Sequence, residues 1–179
     1  VFSTPSSYQY VSGSPASTIT EANLYDATED LIDSTTEAVA TAAKTAMESA
    51  YGWYITLENE GEKVLAESIT YDFKLLFTTF APSGDTVTTC GPDTGVGRLY
   101  LVNLLDATPV LDSDGDTLGE AEDRVYTLLK GGIPPAPVLI NNPNSESSTP
   151  PVCVSTECLS DIDLDATPQQ KTYWRENKI

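Results

Sequence analysis

The strongest constraint on the fold is a series of short apolar runs after Gly52, separated by Gly, Pro, Asn and Asp. Each run is rich in β-branched and aromatic residues, which is typical of β-strands. The six runs are Trp53–Leu57, Lys63–Thr70, Phe73–Phe80, Arg98–Leu105, Arg124–Leu129 and Ala136–Ile140. We expect a tight connection at Tyr71-Asp72. Short strands without alternating helices predict a mainly β fold with antiparallel sheets, as a sandwich or a propeller.

One segment has helical rather than β periodicity. Apolar residues recur every three or four positions from Val39 to Ala50, which predicts one amphipathic helix over about 35–51. Most of these residues are alanines, so the helix buries little area, and we expect it to have a packing role only. Residues 1–20 contain turn formers and little periodicity, and they are expected to form an extended arm or linker.

A short element, an apolar residue or tyrosine followed by Asp-Ala-Thr, occurs three times. The copies are Tyr25–Thr28, Leu105–Thr108 and Leu164–Thr167. An Asp side chain can accept a hydrogen bond from the backbone two residues later, so each copy is expected to end a strand in a turn. The unequal intervals fit propeller blades with insertions, and chance recurrence in a chain rich in Asp and Thr is the alternative.

The charge balance excludes several classes of function. The chain has 27 acidic and 9 basic residues, a formal net charge of −18, and no histidine. Such a chain repels nucleic-acid phosphates and anionic membrane surfaces, and no apolar stretch is long enough to span a membrane. The lack of histidine removes His-dependent nucleophile systems and most zinc hydrolase sites. We therefore expect no nucleic-acid partner, no membrane-spanning segment and no enzymatic activity.

The clearest candidate site is the acidic loop from Asp112 to Asp123. Its oxygen-bearing residues follow the ligand schedule of a twelve-residue calcium loop. The predicted ligands are the side chains of Asp112, Asp114, Asp116, Glu120 and Asp123 and the carbonyl of Leu118. Thr117 replaces the usual glycine at position 6, and Asp123 replaces the usual bidentate Glu, so affinity is expected to be modest. The alternative is a solvated acidic turn.

A second acidic run and three cysteines carry weaker signals. Asp161, Asp163 and Asp165 alternate with apolar residues, and a solvated strand face is the favoured interpretation. Cys153 and Cys158 flank a Ser155-Thr156 turn, which would place them opposite each other and within reach of a disulfide. Cys90 then remains free, pairs outside this chain, or replaces one member of that pair.

Six short motifs in order give the chain a resemblance to a known family. They are Gly52-Trp53-Tyr54-Ile55 with Gly61-Glu62-Lys63-Val64, Leu76-Phe77-Thr78-Thr79, Gly97-Arg98-Leu99-Tyr100 with Asn103-Leu104-Leu105-Asp106, Asp114-Gly115-Asp116 with Asp123-Arg124-Val125, Gly131-Gly132-Ile133-Pro134 with Ala136-Pro137-Val138, and Lys171-Thr172-Tyr173-Trp174-Arg175-Glu176. In these motifs, the chain resembles the C-terminal region of the PilY family of type IV pilus tip-associated biogenesis factors and adhesins.

The resemblance implies that residues 21–179 are the C-terminal part of a modified β-propeller at the bacterial cell surface or pilus, with a calcium loop inserted at 112–123. The implied function is a non-enzymatic, calcium-binding extracellular module of a pilus-associated adhesin or biogenesis factor. Because a whole propeller needs several hundred residues, we expect the partner to be the rest of a longer chain, other copies or pilus subunits. The alternatives are a subunit of a self-assembling extracellular filament and a remnant of a quinoprotein dehydrogenase propeller.

Overall fold

A computed structural model describes residues 19–82, 94–111, 120–140 and 150–159. In these ranges there is one α-helix, α1 (Glu37–Ser49), and short 3₁₀ turns lie at Glu21–Asn23, Leu31–Asp33 and Ala121–Arg124. The strands are β1 (Tyr25–Asp26), β2 (Trp53–Tyr54), β3 (Lys63–Val64), β4 (Ile69–Tyr71), β5 (Lys74–Ala81), β6 (Val96–Asn103), β7 (Val125–Thr127), β8 (Val138–Leu139), β9 (Val152–Val154) and β10 (Glu157–Leu159).

The central sheet is built on the long antiparallel pair β5–β6. The pairing runs from Lys74 opposite Asn103 to Ala81 opposite Val96. On one side, β3 and β4 both pair with β5, at different positions along it, and on the other side β7 pairs with β6. The β4–β5 turn lies at Asp72 and Phe73, whose φ angles are +45° and +58°, so the predicted connection is shifted by one residue.

The alternation of side chains along β5 and β6 gives the central sheet two apolar faces. On one face, Leu76, Leu99 and Leu101 pack with Val152 and Val154, so the strands β8–β9–β10 cover this side. On the opposite face, Phe77 and Tyr100 lie directly across from each other with ring centroids 4.9 Å apart. Trp53, Ile55 and Leu57 pack against that second face. The central sheet is thus buried between two thin layers.

The β8–β9–β10 layer ends in a disulfide-linked hairpin. Cys153 and Cys158 face each other across β9 and β10, with Cα atoms 4.0 Å apart, and form a disulfide, the pair predicted from the sequence. The Glu157 carboxylate accepts hydrogen bonds from the backbone N–H groups of Leu129 and Lys130, at 2.8 and 2.7 Å. This contact fixes the hairpin to the chain that follows β7. Cys90 lies outside the described residues.

The N-terminal segment, residues 20–34, lies beside the layer formed by residues 53–57. Its strand β1 pairs with β2 in parallel, with Tyr25 opposite Trp53, which is an exception to the antiparallel pairing that we predicted. Trp53 Nε1 donates to the carbonyl of Leu104 at 3.0 Å and so ties β2 to the end of the central sheet. Helix α1 packs mainly on the 3₁₀ turn Leu31–Asp33 and buries only Ala43.

The mainly β architecture with antiparallel sheets and one helix is confirmed. The predicted strand over 63–70 is wrong as a single element, because β3 and β4 pair with separate parts of β5. None of the sheets in the described ranges closes on itself, and the propeller remains a prediction. No described helix has the length and apolar character needed to cross a bilayer. The predicted arm falls almost entirely outside the described residues.

Candidate functional site

Only part of the predicted calcium loop can be placed in the structure. Four of its predicted ligands, Asp112, Asp114, Asp116 and Leu118, lie outside the described residues, as does the second acidic run, 161–165. The other two ligands lie at the 3₁₀ turn Ala121–Arg124, with Glu120 at its N-cap and Asp123 within it. The Glu120 backbone N–H donates to Asp123 Oδ2 at 3.3 Å, and the Asp123 N–H donates to the Glu120 carbonyl at 3.0 Å.

The central sheet holds both ends of this loop. Before the loop, Pro109 forms an isolated bridge with Val102 of β6. After it, the 3₁₀ turn leads directly into β7, which places Val125 opposite Tyr100 of β6. The loop therefore lies between two segments that pair with the same strand. An isolated bridge, and not a strand, precedes the loop, and the insertion of a calcium loop at 112–123 stays a prediction.

Two copies of the Asp-Ala-Thr element form the same turn. Asp26 Oδ1 accepts hydrogen bonds from the N–H and hydroxyl of Thr28, at 3.1 and 2.6 Å. Asp106 Oδ1 does the same for Thr108, at 3.2 and 2.8 Å. The turn chemistry predicted from the sequence is confirmed at these two sites. The third copy, 164–167, lies outside the described residues.

Arg124 connects these two turns. Its Nε donates to the Ala107 carbonyl at 2.8 Å, and its Nη1 donates to the Thr28 carbonyl at 2.9 Å. Its Nη2 lies 3.2 Å from Asp30 Oδ1, in an ion pair whose side chains are 3% and 1% exposed. We call Arg124 and these three partners the Arg124 clamp. The Arg124 clamp joins the N-terminal segment and the turn after β6 to the 3₁₀ turn that contains Asp123.

Asp30 has few stabilising contacts for a buried carboxylate. Neither of its oxygens has a partner in hydrogen-bonding geometry, and the ion pair with Arg124 is its principal favourable contact. Burial raises the pKa of Asp30 to about 6, and repulsion from Asp33 and Asp106 adds to the shift that Arg124 opposes. Burial also raises the pKa of Asp33. A negative charge on Asp30 is therefore costly to the fold.

An acidic cleft of about 300 Å³ lies beside the Arg124 clamp. The cleft is lined by the carboxylates of Glu29, Asp30 and Asp33 from the N-terminal segment and by those of Glu120 and Glu122 from the end of the predicted loop. Within the described ranges, no three acidic or cysteine side chains converge closely enough to hold a metal ion. The cleft faces the N-terminal segment toward the end of the predicted calcium loop.

A second buried carboxylate, Glu62, has a full set of donors. Glu62 Oε1 accepts from Thr79 Oγ1 at 2.5 Å and from the Tyr100 hydroxyl at 3.3 Å. Its Oε2 accepts from Asn59 N and Nδ2 at 3.2 and 2.6 Å and pairs with Arg98 Nη1 at 3.4 Å. Although burial alone would raise it, these donors hold the pKa of Glu62 below its usual value. We call this group the Glu62 cluster.

Sequence reasoning did not find either charged centre. A signal was present for Arg98, because it has the same strand parity as Tyr100 and Val102 and so points to a face that is otherwise apolar. No local pattern relates Arg124 to Thr28 or Ala107, which lie 96 and 17 residues away. The clamp is visible only once the chain is folded.

Comparisons with known proteins add no family to this description. The chain matches no protein-family model, no curated protein and no solved structure. The resemblance to the pilus-associated family therefore rests on the motifs quoted above.

Proposed function

We propose that this chain is a non-enzymatic, calcium-binding extracellular module of a type IV pilus-associated adhesin or biogenesis factor. The observation that carries the proposal is the ligand spacing from Asp112 to Asp123, with oxygens at loop positions 1, 3, 5, 7, 9 and 12. Carboxylates and a backbone carbonyl are hard oxygen donors, the type that calcium prefers over softer metals. The donor set thus fits the ion.

The frame around the loop supports this proposal. The bridge at Pro109 and the 3₁₀ turn before β7 hold the two ends of the loop to strand β6. Asp123 is 2% exposed and lies in the 3₁₀ turn that leads into β7, which supports a held carboxylate at the last predicted ligand position. A loop with fixed ends loses less conformational entropy when an ion orders it, which favours binding.

The charge of the loop gives calcium a physical role. The loop carries six acidic side chains in twelve residues, and the cleft beside it adds Glu29, Asp30 and Asp33. Like charges a few ångströms apart repel one another, so the folded form is favoured by a cation that neutralises them. The proposed role of calcium is therefore to order this part of the chain and stabilise it.

The pilus and propeller parts of the proposal rest on the six motifs and their order. The antiparallel sheets, the short strands and the disulfide-linked hairpin are compatible with a segment of a secreted propeller. The proposed partners are the remainder of a longer chain, other copies or pilus subunits, which would complete the propeller. The proposed location is extracellular, at the bacterial cell surface or pilus.

Calcium titration of matched variants tests the proposal. The variant D114N/D116N removes two predicted ligands, and D161N/D163N removes the same charge from the second acidic run. We expect calorimetry to detect calcium binding to the wild type and to D161N/D163N but not to D114N/D116N. Above Kd, each further tenfold increase in the free calcium concentration should add about 1.4 kcal/mol to the free energy of unfolding. Absence of binding heat and of any Tm shift in the wild type would overturn the proposal.

A further inference from the structure

The Cys153–Cys158 disulfide joins a central strand to an edge strand. In the sheet order β10–β9–β8, β9 lies in the middle and β10 at the edge. Cys153 is accordingly 5% exposed and buried, whereas Cys158 is exposed. Since side chains alternate along a strand and Val152 and Val154 face the central sheet, the disulfide lies on the outer face of this layer. A thiolate from solvent therefore reaches Cys158 more readily than Cys153.

The hairpin that carries this disulfide covers one apolar face of the central sheet with few residues. Val152 and Val154 of β9 pack against Leu76, Leu99 and Leu101. Two residue pairs join β9 to β8, and three join β10 to β9. Strands this short are marginally stable by themselves, so the covalent bond between β9 and β10 fixes the register of the edge strand.

The edge strand β10 in turn holds the chain that follows β7. The two oxygens of the Glu157 carboxylate accept hydrogen bonds from the N–H groups of Leu129 and Lys130, at 2.8 and 2.7 Å. Glu157 is the neighbour of Cys158, so the position of its carboxylate depends on how β10 is held. Leu129 is 83% exposed, and its side chain contributes little packing to keep this segment in place. The contact that orders the segment thus lies one residue from the disulfide.

We propose that the Cys153–Cys158 disulfide is a reversible redox switch that controls the order of the β9–β10 hairpin and, through Glu157, of residues 129–130. The reductant is a dithiol, and the reverse reaction uses a disulfide oxidant. The two cysteines are five residues apart in sequence, and a loop this short restricts the unfolded chain less than a long one does. Reduction therefore loosens the hairpin without unfolding the central sheet. This inference does not depend on calcium binding.

A dithiol opens the switch in two exchange steps. Its first thiolate attacks Sγ of Cys158, the sulfur–sulfur bond breaks, and the electron pair leaves with Sγ of Cys153, which takes a proton from water. The second thiolate then attacks the reductant's own sulfur in the mixed disulfide and releases the Cys158 thiolate, which is also protonated. In the net reaction the protein disulfide becomes a pair of thiols, and the dithiol leaves as a cyclic disulfide.

The register of the hairpin makes this reaction reversible. Cys153 and Cys158 occupy directly paired positions of β9 and β10. While the strands stay paired, the Cys153 thiol lies beside any mixed disulfide at Cys158 and can expel the reductant to restore the bond. Loss of strand pairing removes this proximity, so the reduced form persists when the hairpin has loosened.

Hydrogen exchange read by mass spectrometry tests the switch in the intact chain. The chain has three cysteines, so the C90S variant retains Cys153 and Cys158 alone. After treatment with dithiothreitol, we expect exchange in peptides covering 125–134 and 150–159 to speed up by roughly fivefold or more, while peptides covering β5 change little. The matched control is C90S/C153S/C158S, which we expect to exchange fast in both regions with or without dithiothreitol.

Thiol reactivity tests which sulfur is attacked. C90S/C153S retains the Cys158 thiol, and C90S/C158S retains the Cys153 thiol. With dipyridyl disulfide as the probe, we expect Cys158 to react roughly tenfold faster than Cys153 or more, because Cys158 is exposed on the edge strand.

The E157A variant, in the C90S background, separates the hairpin from the segment that it holds. Without the carboxylate, exchange over 125–134 should already be fast before reduction, whereas exchange over 150–159 should still respond to dithiothreitol. E48A removes the same charge from an exposed position of α1 and should behave like C90S itself.

The outcomes decide the proposal. A pair that dithiothreitol does not reduce in the folded chain would overturn it, as would reduction with unchanged exchange. Equal acceleration in β5 would also overturn it, because that result indicates global unfolding. Faster reaction of Cys153 than of Cys158 would overturn the direction of attack. If the triple variant does not fold, the comparison of oxidised with reduced C90S still decides the matter. Local acceleration over 125–134 and 150–159 is the expected result. Since calcium binding enters none of these measurements, the proposed function stands or falls separately.

Discussion

The surroundings of two buried carboxylates, Asp30 and Glu62, shift their pKa values in opposite directions. Glu62 accepts hydrogen bonds from Asn59, Thr79 and Tyr100 and pairs with Arg98. Asp30, equally hidden from solvent, has an ion pair with Arg124 but no hydrogen-bond donor in good geometry. Burial is the largest influence on both groups, so the difference between them comes from the donors.

The two centres therefore respond to pH with opposite signs. The pKa of Glu62 is lowered, so its charged form stabilises the fold above pH 4.5, and that contribution is lost as pH falls below it. The pKa of Asp30 is raised from 3.8 to about 6, so its contribution is full below pH 3.8 and is lost as pH rises through 6. The Glu62 cluster is a satisfied structural network, whereas Asp30 carries a cost that another interaction must offset.

Replacing each arginine by methionine should give the largest difference between the two centres. R124M leaves Asp30 as an uncompensated buried charge and removes the donors to Thr28 and Ala107. We expect a loss of about 3–5 kcal/mol in the free energy of unfolding, measured by urea denaturation at pH 7. R98M should cost only about 1–2 kcal/mol, because Glu62 keeps its other donors.

The same methionine side chain in both variants controls for the change in volume and hydrophobicity. Arg98 is 17% exposed against 3% for Arg124, so water can replace part of the Arg98 contact. Equal losses in the two variants, or a larger loss in R98M, would contradict our interpretation that Asp30 depends mainly on Arg124 whereas Glu62 has several donors.

The pH dependence of stability should show the next largest effect. In wild type relative to D30N, the free energy of unfolding should fall as pH rises from 4.5 to 7, by at most about 2 kcal/mol. Relative to E62Q, the free energy of unfolding of the wild type should instead fall as the pH drops below 4.5. Urea denaturation at closely spaced pH values measures both differences.

Each variant serves as the control for the other, because the general effect of the net charge of −18 is nearly the same in both. The charges that act on Asp30 are those of Arg124, Asp33 and Asp106, and both variants retain them. A wild-type minus D30N difference that is flat between pH 4.5 and 7 would show that Asp30 is not perturbed as the structure indicates.

Elements that depend on neighbouring residues could be predicted from the sequence, whereas the Arg124 clamp and the Glu62 cluster could not. The helix and the turn between Cys153 and Cys158 depend on neighbours within a few residues, and both predictions are confirmed, whereas the run Lys63–Thr70 forms two separate strands. The parallel β1–β2 pair has only two residues in each strand, too few for any periodicity. Arg124 donates hydrogen bonds to the carbonyls of Thr28 and Ala107, which lie 96 and 17 residues away in the sequence, and no local spacing rule predicts these contacts.

The smallest expected effect concerns the two Asp-Ala-Thr turns on either side of the Arg124 clamp. Thr108 is 5% exposed, and its hydroxyl accepts from Asn103 Nδ2 at 2.6 Å while donating to Asp106. T108V leaves that amide without an acceptor and should cost about 1–2 kcal/mol. T28V should cost about 0.5 kcal/mol, because the hydrogen bonds of the Thr28 side chain are exposed and water can replace them. Urea denaturation of both variants measures the difference. A larger loss in T28V would mean that the hydroxyl of Thr28, rather than the reach of Arg124 to its carbonyl, holds the N-terminal segment in place.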